Sequence, residues 1–381
     1  MTVRWPRIAR RVIDDNEYPD VVSDRLHDLV AEIPEGPVRP LQDPTAPDAD
    51  LWNQWVEPFA GQSWLEVPWF FGETYFYRRI LEAIGYFGAG PTRQDDPFDA
   101  EKRRSGADSV EAIRSLVRAR SSASERNGSR ATLPRLLRMA LWGNQADLSM
   151  WATDEAGPDH LEEGGSEEHI LSDDTDRVLA YLEALDRPVR VDVWIDNAGL
   201  ELVADLVLVD GLLEEVADLV VLHAKAHPTF VSDATAADVH ATVRMVAEVS
   251  SDESPTLDRR LATAFSEGRL RLSDAFAWTS PLPAREFPST VSAELARSDL
   301  LISKGDANYR RLLGDRHWPY TTPFEDIVSY WPVPVLALRT LKAEIAAGVP
   351  EERIDWLNET HPDWLTSGEW GVIQFSPGAD A

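Results

Sequence analysis

The stretch Val191–Leu206, VDVWIDNAGLELVADL, decides the fold. It opens as a strand over Val191–Ile195 and continues as a helix from Leu200. Asp196, Asn197 and Gly199 stand where one turns into the other, and Glu201 follows in the first turn of the helix. A buried strand that runs into a helix is half of a crossover between parallel strands.

The same alternation recurs outward from this stretch. ADLVVLHAKAHP, TFVSDATAADVHATVRMVAEV, SDLLISKGDANYRRLLGD and VPVLALRTLKAEIAAGV each pair a short apolar run with a helical pattern. Such a series predicts an α/β fold, a mostly parallel Rossmann-like sheet with helices on both faces in a three-layer α/β/α sandwich. The earlier part reads differently. FGETYFYRRILEAIGYF, SVEAIRSLVRARSSASE and LPRLLRMALWGN carry apolar residues at helical spacing between Pro/Gly/Asp-rich loops. An acidic connector near 152–174 suggests a division into a helical subdomain, 1–165, and a catalytic subdomain, 166–381. Trp64, Trp69, Phe70 and Phe71 read as packing within the helical half.

Composition narrows the chemistry. The 381 residues include no Cys and carry a net charge of −29. So acidic a surface disfavours nucleic acid and anionic membranes as partners, and no 18-residue apolar run is present to span a bilayer. With no apolar signal core at the N-terminus, the expectation is a cytoplasmic protein. Without thiolates, any metal is held by oxygen or imidazole, which favours Mg, Mn, Co or Ni.

In open parallel sheets ligands bind at the carboxyl ends of the strands. Asp196 and Asn197 stand at the first such end, Lys225 and His227 at the second, Ser232 and Asp233 after a third short run. Lys304, Gly305, Asp306 and Asn308 follow the fourth, and Arg339, Thr340 and Lys342 the fifth. Only four of the 37 Lys and Arg residues are Lys, and three of these, Lys225, Lys304 and Lys342, lie just beyond predicted strands; the fourth, Lys102, falls in a polar loop. Lys is a compact, mobile point charge suited to a phosphate. Asp196, Asn197 and Asp233 could hold a divalent ion through oxygen, with Lys304, Arg339, Lys342 and the backbone of the Gly305 turn holding an anion beside it. Metal with Lys/Arg around one point is a means of phosphoryl transfer.

Together DNAGLE, KAHPTFVSDAT, SKGDANYRRL and RTLK resemble the metal-dependent damage-control phosphatases. LWGNQADLS and PWFFGETYFYRRI are similar to the subfamily with an RTxK signature, here Arg339–Lys342. The resemblance implies metal ligands at Asp196, Asn197 and Asp233. It implies substrate contacts at Asn197, Glu201, Gly305, Asp306, Asn308, Arg310, Arg339 and Lys342. Asn144 and Asp147, in LWGNQADLS, either reach the site from the helical half or cap between two helices. The implied activity is hydrolysis of small phosphorylated metabolites, such as fructose 1-phosphate or fructose 6-phosphate, with Mn, Ni, Co or Mg. Ala307 departs conservatively from the usual Leu.

Other readings stand beside these. Asp196 and Asp233 are also good helix N-caps, and Asp196 could act as a nucleophile. His227 is a turn residue or an acid–base group. Eukaryotic relatives have also been described as S-adenosylmethionine-dependent carboxyl methyltransferases, but the turn after the first strand has one glycine and no nucleotide fingerprint. A non-catalytic metal- or phosphometabolite-binding protein is the remaining alternative.

Overall fold

A computed structural model describes residues 1–126, 132–143, 168–186, 188–249 and 256–378. The chain forms two compact units. The larger comprises Ser105–Ala224, Ala234–Asp274 and Pro283–Ala381, and the smaller comprises Met1–Arg104, Lys225–Asp233 and Ala275–Leu282.

Among the described residues the sheet has seven strands: β1 (Ile170–Asp173), β2 (Arg190–Trp194), β3 (Leu219–Lys225), β4 (Leu270–Ala275), β5 (Leu300–Lys304), β6 (Val335–Thr340) and β7 (Gly371–Ser376). Their order is β1-β7-β6-β5-β2-β3-β4. The pairs β6–β5, β5–β2 and β2–β3 are parallel, and β7 runs antiparallel to β6. From β2 the chain passes to β3 on one side and later returns to β5 on the other. The crevice between the ends of β2 and β5 is therefore a topological switch point, where open α/β sheets bind ligands.

The opening stretch forms β2 and the helix Leu200–Glu215. Every residue from Leu200 to Leu213 on this helix is buried, as suits a helix apolar almost all round. The helix Leu133–Trp142 packs on it. At Gly211 an added Cβ would lie 2.1 Å from Leu136 Cδ1, so the close approach of the two helices requires glycine there. This contact also explains why the units do not follow the 165/166 division. Leu136, Leu137 and Leu141 of the helical region share one core with β2, β3 and β5. Periodicity identifies an apolar face but not the core that the face joins.

The smaller unit packs the helices Arg4–Asp15, Asp20–Glu32, Ala49–Val56 and Trp69–Ile84 around an aromatic core. Trp5 stacks on Phe76 with centroids 5.5 Å apart. Trp64, Phe70 and Phe71 are buried in this unit, whereas Trp69 is 38% exposed. Lys102 is not in a loop: it lies in the helix Asp99–Asp108 and pairs with Asp96 at 2.8 Å. The expected run at TFVSDAT is a turn rather than a strand. Phe230 and Val231 both have positive φ, 48° and 69°, outside the region of regular strands.

No described helix is long and apolar enough to cross a membrane.

Candidate functional site

In the larger unit, β2 delivers Asp196 and Asn197 to the switch point, and β5 delivers Lys304 and Gly305 beside them. The register explains the encounter. Trp194 pairs with Ser303, so residues two beyond each partner, Asp196 and Gly305, leave the sheet side by side. Gly305 has φ 80° and ψ 176°, a region essentially reserved for glycine. A Cβ there would lie 1.9 Å from Asp196 Oδ2. The missing side chain is thus what gives the carboxylate its place. The Asp196 carbonyl is fixed by the Ala234 N–H at 2.7 Å.

A small cavity of ≈ 40 Å³ opens here, lined by Asp196, Asn197, Glu201, Lys304, Asp306 and Lys342 among others. It has room for about three water-sized groups. Asn197 Nδ2 donates to Asp196 Oδ2 at 3.1 Å and to Glu201 Oε2 at 2.9 Å. With its amino group turned to both acids, the amide presents Oδ1 on the opposite side. Asp196 and Glu201 are each 4% exposed. The Asp196 carboxylate and the Asn197 amide oxygen, turned away from it, are hard donors of the kind a divalent cation takes.

The two expected lysines differ. Lys304 Nζ lies 2.9 Å from Asp205 Oδ1 and 3.6 Å from Glu201 Oε1, and donates to the Ala140 carbonyl at 2.7 Å. Burial alone would lower its pKa. Asp205 and Glu201 more than offset this, and the pKa is raised. The Asp205 carboxyl is pushed up by burial, against the pull of Lys304 and with the push of Glu201. Lys342 is exposed and pairs with no described acid. Its backbone N–H points to Asp306 Oδ1 at 3.4 Å.

Several other expected substrate contacts are engaged in holding the site's frame. Asn308 Nδ2 donates to the Ile195 and Lys304 carbonyls at 3.2 and 2.9 Å, tying β2 to β5. Arg339 bonds Asp306 at 2.8 Å, donates to the Ile345 and Ala343 carbonyls and lies over the Tyr309 ring. It thereby anchors the loop that carries Lys342. Arg310 pairs with Asp315 at 2.6 Å. The Gly305 N–H donates to the Leu338 carbonyl at 3.0 Å. Asn144 and Asp147 lie outside the described residues.

Asp233 belongs to the smaller unit, where Lys225 Nζ lies 3.0 Å from its Oδ2. In the same unit His227 is buried, with Nε2 3.6 Å from Asp48 Oδ2 and Nδ1 3.1 Å from the Pro228 carbonyl. Burial pushes its pKa down to about 4; Asp48 opposes this and Arg78 adds to it. The imidazole is therefore neutral near pH 7. Among the described residues no group of three or more His, Asp or Glu is arranged to hold a metal. The expected ligand set contains only two carboxylates, its third member being an amide.

Asp205 was not legible as a site neighbour. The available signal was its spacing: it stands four residues after Glu201, on the same face of the helix.

Residues 1–357 match the family model for the damage-control phosphatase ARMT1-like domain. The chain is 34% identical over 373 residues to damage-control phosphatase ARMT1 of Xenopus laevis, covering 89% of this chain and 83% of that protein. It is 33% identical over 367 residues to the Mus musculus protein of that name, with 89% and 82% covered. A crystal structure of a DUF89 family protein from Pyrococcus horikoshii aligns over 91% of this chain and 95% of that one, at 13% identity and a TM-score of 0.47. On the family match and these relatives, the chain belongs to the ARMT1-like damage-control phosphatase family.

Proposed function

We propose that the chain is a divalent-metal-dependent phosphomonoesterase acting on small phosphorylated metabolites, with hexose phosphates such as fructose 1-phosphate or fructose 6-phosphate as the substrate class. The observation that carries this reading is the Asp196–Asn197 pair at the switch point, brought against Gly305 and sharing its cavity with the exposed Lys342.

Asp196, Asn197 and Asp233 would hold the ion. When bound, Mn, Co, Ni or Mg supplies Lewis-acid polarisation and an activated water. The chain's own residues do the rest. Lys342 meets the phosphate dianion as a mobile ammonium through charge-assisted hydrogen bonds. Asp306 and Arg339 hold its loop. Glu201 keeps the Asn197 amide turned. A cavity of ≈ 40 Å³ suits an ion and phosphoryl oxygens, and leaves the sugar outside it.

The test is hydrolysis of fructose 1-phosphate by the full chain after exhaustive chelation and after adding back each metal, with a parallel assay for methyl transfer from S-adenosylmethionine. Activity lost to chelation and restored by Mn, Co, Ni or Mg to differing degrees is expected. Hydrolysis undiminished in metal-free protein, or methyl transfer without hydrolysis, would contradict the proposal.

A further inference from the structure

We infer that Asp205 and Lys304 are a positioning pair: through Glu201 they hold the Asn197 carboxamide in its ligating orientation, and Lys304 does not touch the substrate phosphate. The inference rests on the metal site proposed above and deepens it.

Four contacts carry it, all within the larger unit. Asp205 Oδ1 lies 2.9 Å from Lys304 Nζ. The same ammonium donates to the Ala140 carbonyl at 2.7 Å and lies 3.6 Å from Glu201 Oε1. The other oxygen of Glu201 accepts from Asn197 Nδ2 at 2.9 Å. Asp205 and Lys304 are each 1% exposed. An ammonium has three protons. Here they meet one carboxylate and one carbonyl at close range and a second carboxylate farther off. To reach a phosphate in the cavity, Lys304 would have to leave Asp205 as a bare buried charge, which is strongly unfavourable.

Asn197 has the opposite problem. A carboxamide can turn over and present either nitrogen or oxygen to an ion, and only oxygen binds one. Two acids on its nitrogen side decide the matter. Asp196 alone, at 3.1 Å, is itself an expected ligand whose lone pairs the metal would share. Glu201 is the independent restraint, and its own place is set by Lys304. Groups behind metal ligands typically change affinity about 10–100-fold when removed.

Mn affinity of the full chain, measured by calorimetry and by electron paramagnetic resonance of free Mn, reads this directly. Thermal melting is followed alongside, with inorganic phosphate binding measured at saturating Mn. Asp205→Asn keeps the shape of the side chain but loosens Lys304, and the Mn dissociation constant is expected to rise about 10-fold. Lys304→Met/Asp205→Leu replaces the pair by apolar groups, which buried sites commonly tolerate. It should melt near the wild-type temperature and bind Mn about 10–100-fold more weakly, while phosphate affinity of the Mn-loaded protein stays at the wild-type level. Wild-type Mn affinity in Asp205→Asn would overturn the inference, as would a double variant that keeps Mn affinity but loses phosphate. Asp196→Asn separates the two levels: if it binds Mn as wild type does, the metal reading itself fails, whatever Lys304 does.

Discussion

Each unit buries a cluster of charge, and the two clusters differ in what surrounds them. In the larger unit Lys304 ends β5, Glu201 and Asp205 lie on the helix that follows β2, and two of the three line the cavity. In the smaller unit Arg78 bonds both oxygens of Asp48 at 2.8 and 2.9 Å, with His227 beside them. Phe87 flanks both cations, its ring 5.0 Å from the guanidinium and 6.0 Å from the imidazole. Both clusters are as buried as the apolar core. Burial alone therefore does not mark function. What distinguishes the first cluster is its hydrogen bond, through Glu201, to a cavity-lining amide. Disturbing it should weaken metal binding, whereas disturbing the second should alter stability.

The sharpest contrast is at Lys342, which shares the first cluster's cavity without sharing its ion pairs. Lys342→Ala should lower kcat/KM on a hexose phosphate about 10²–10³-fold, equivalent to about 2.7–4 kcal/mol of transition-state stabilisation. Mn affinity and melting temperature should not move. Lys342→Arg should recover part of the loss, since a planar fork replaces a point charge. Steady-state kinetics at saturating Mn decide this, and a silent Lys342→Ala would remove the residue from the site.

The second cluster should respond to acid. His227 titrates at about 4 in the folded chain against an ordinary value of 6.5, so between these values the unfolded chain binds the extra proton. The resulting stability is complete above pH 6.5 and is lost as the pH falls towards 4, by roughly 3 kcal/mol. Melting temperatures of wild type and His227→Phe from pH 7.5 to 4.5 should show a steeper acid loss in the wild type. Parallel curves would mean that the imidazole is not buried neutral.

Gly305 is expected to join the two kinds of effect. Gly305→Ala puts a Cβ into the Asp196 carboxylate and into a backbone region that only glycine adopts, at a cost of roughly 1–3 kcal/mol. Both melting temperature and Mn affinity should fall. A variant with normal Mn binding would show that Asp196 does not need the space.

The sheet and the cavity at its strand ends were largely legible because they depend on local pattern. Apolar runs marked β2, β3, β5 and β6, and the residues that follow them, Asp196, Lys304 and Lys342, reach one cavity. What stayed hidden depends on partners far along the chain. Lys304 is a lysine at a strand end like Lys342, yet its partners are Asp205 and Ala140, roughly 100 and 160 positions away. Arg339 gave no sign that Asp306 would claim it. The Phe230–Val231 turn was hidden for another reason: both residues favour strands, and tertiary packing holds them left-handed instead.

The central claim is that Asp196 and Asn197 stand at the switch point to hold a divalent ion that hydrolysis requires. Mn titrated calorimetrically into chelated wild type and Asp196→Ala, with fructose 1-phosphate hydrolysis followed on the same samples, tests it most directly. The account predicts saturable Mn binding and Mn-dependent turnover in the wild type, and neither in an Asp196→Ala protein whose circular dichroism is unchanged. Near wild-type Mn binding or turnover in that variant would contradict it.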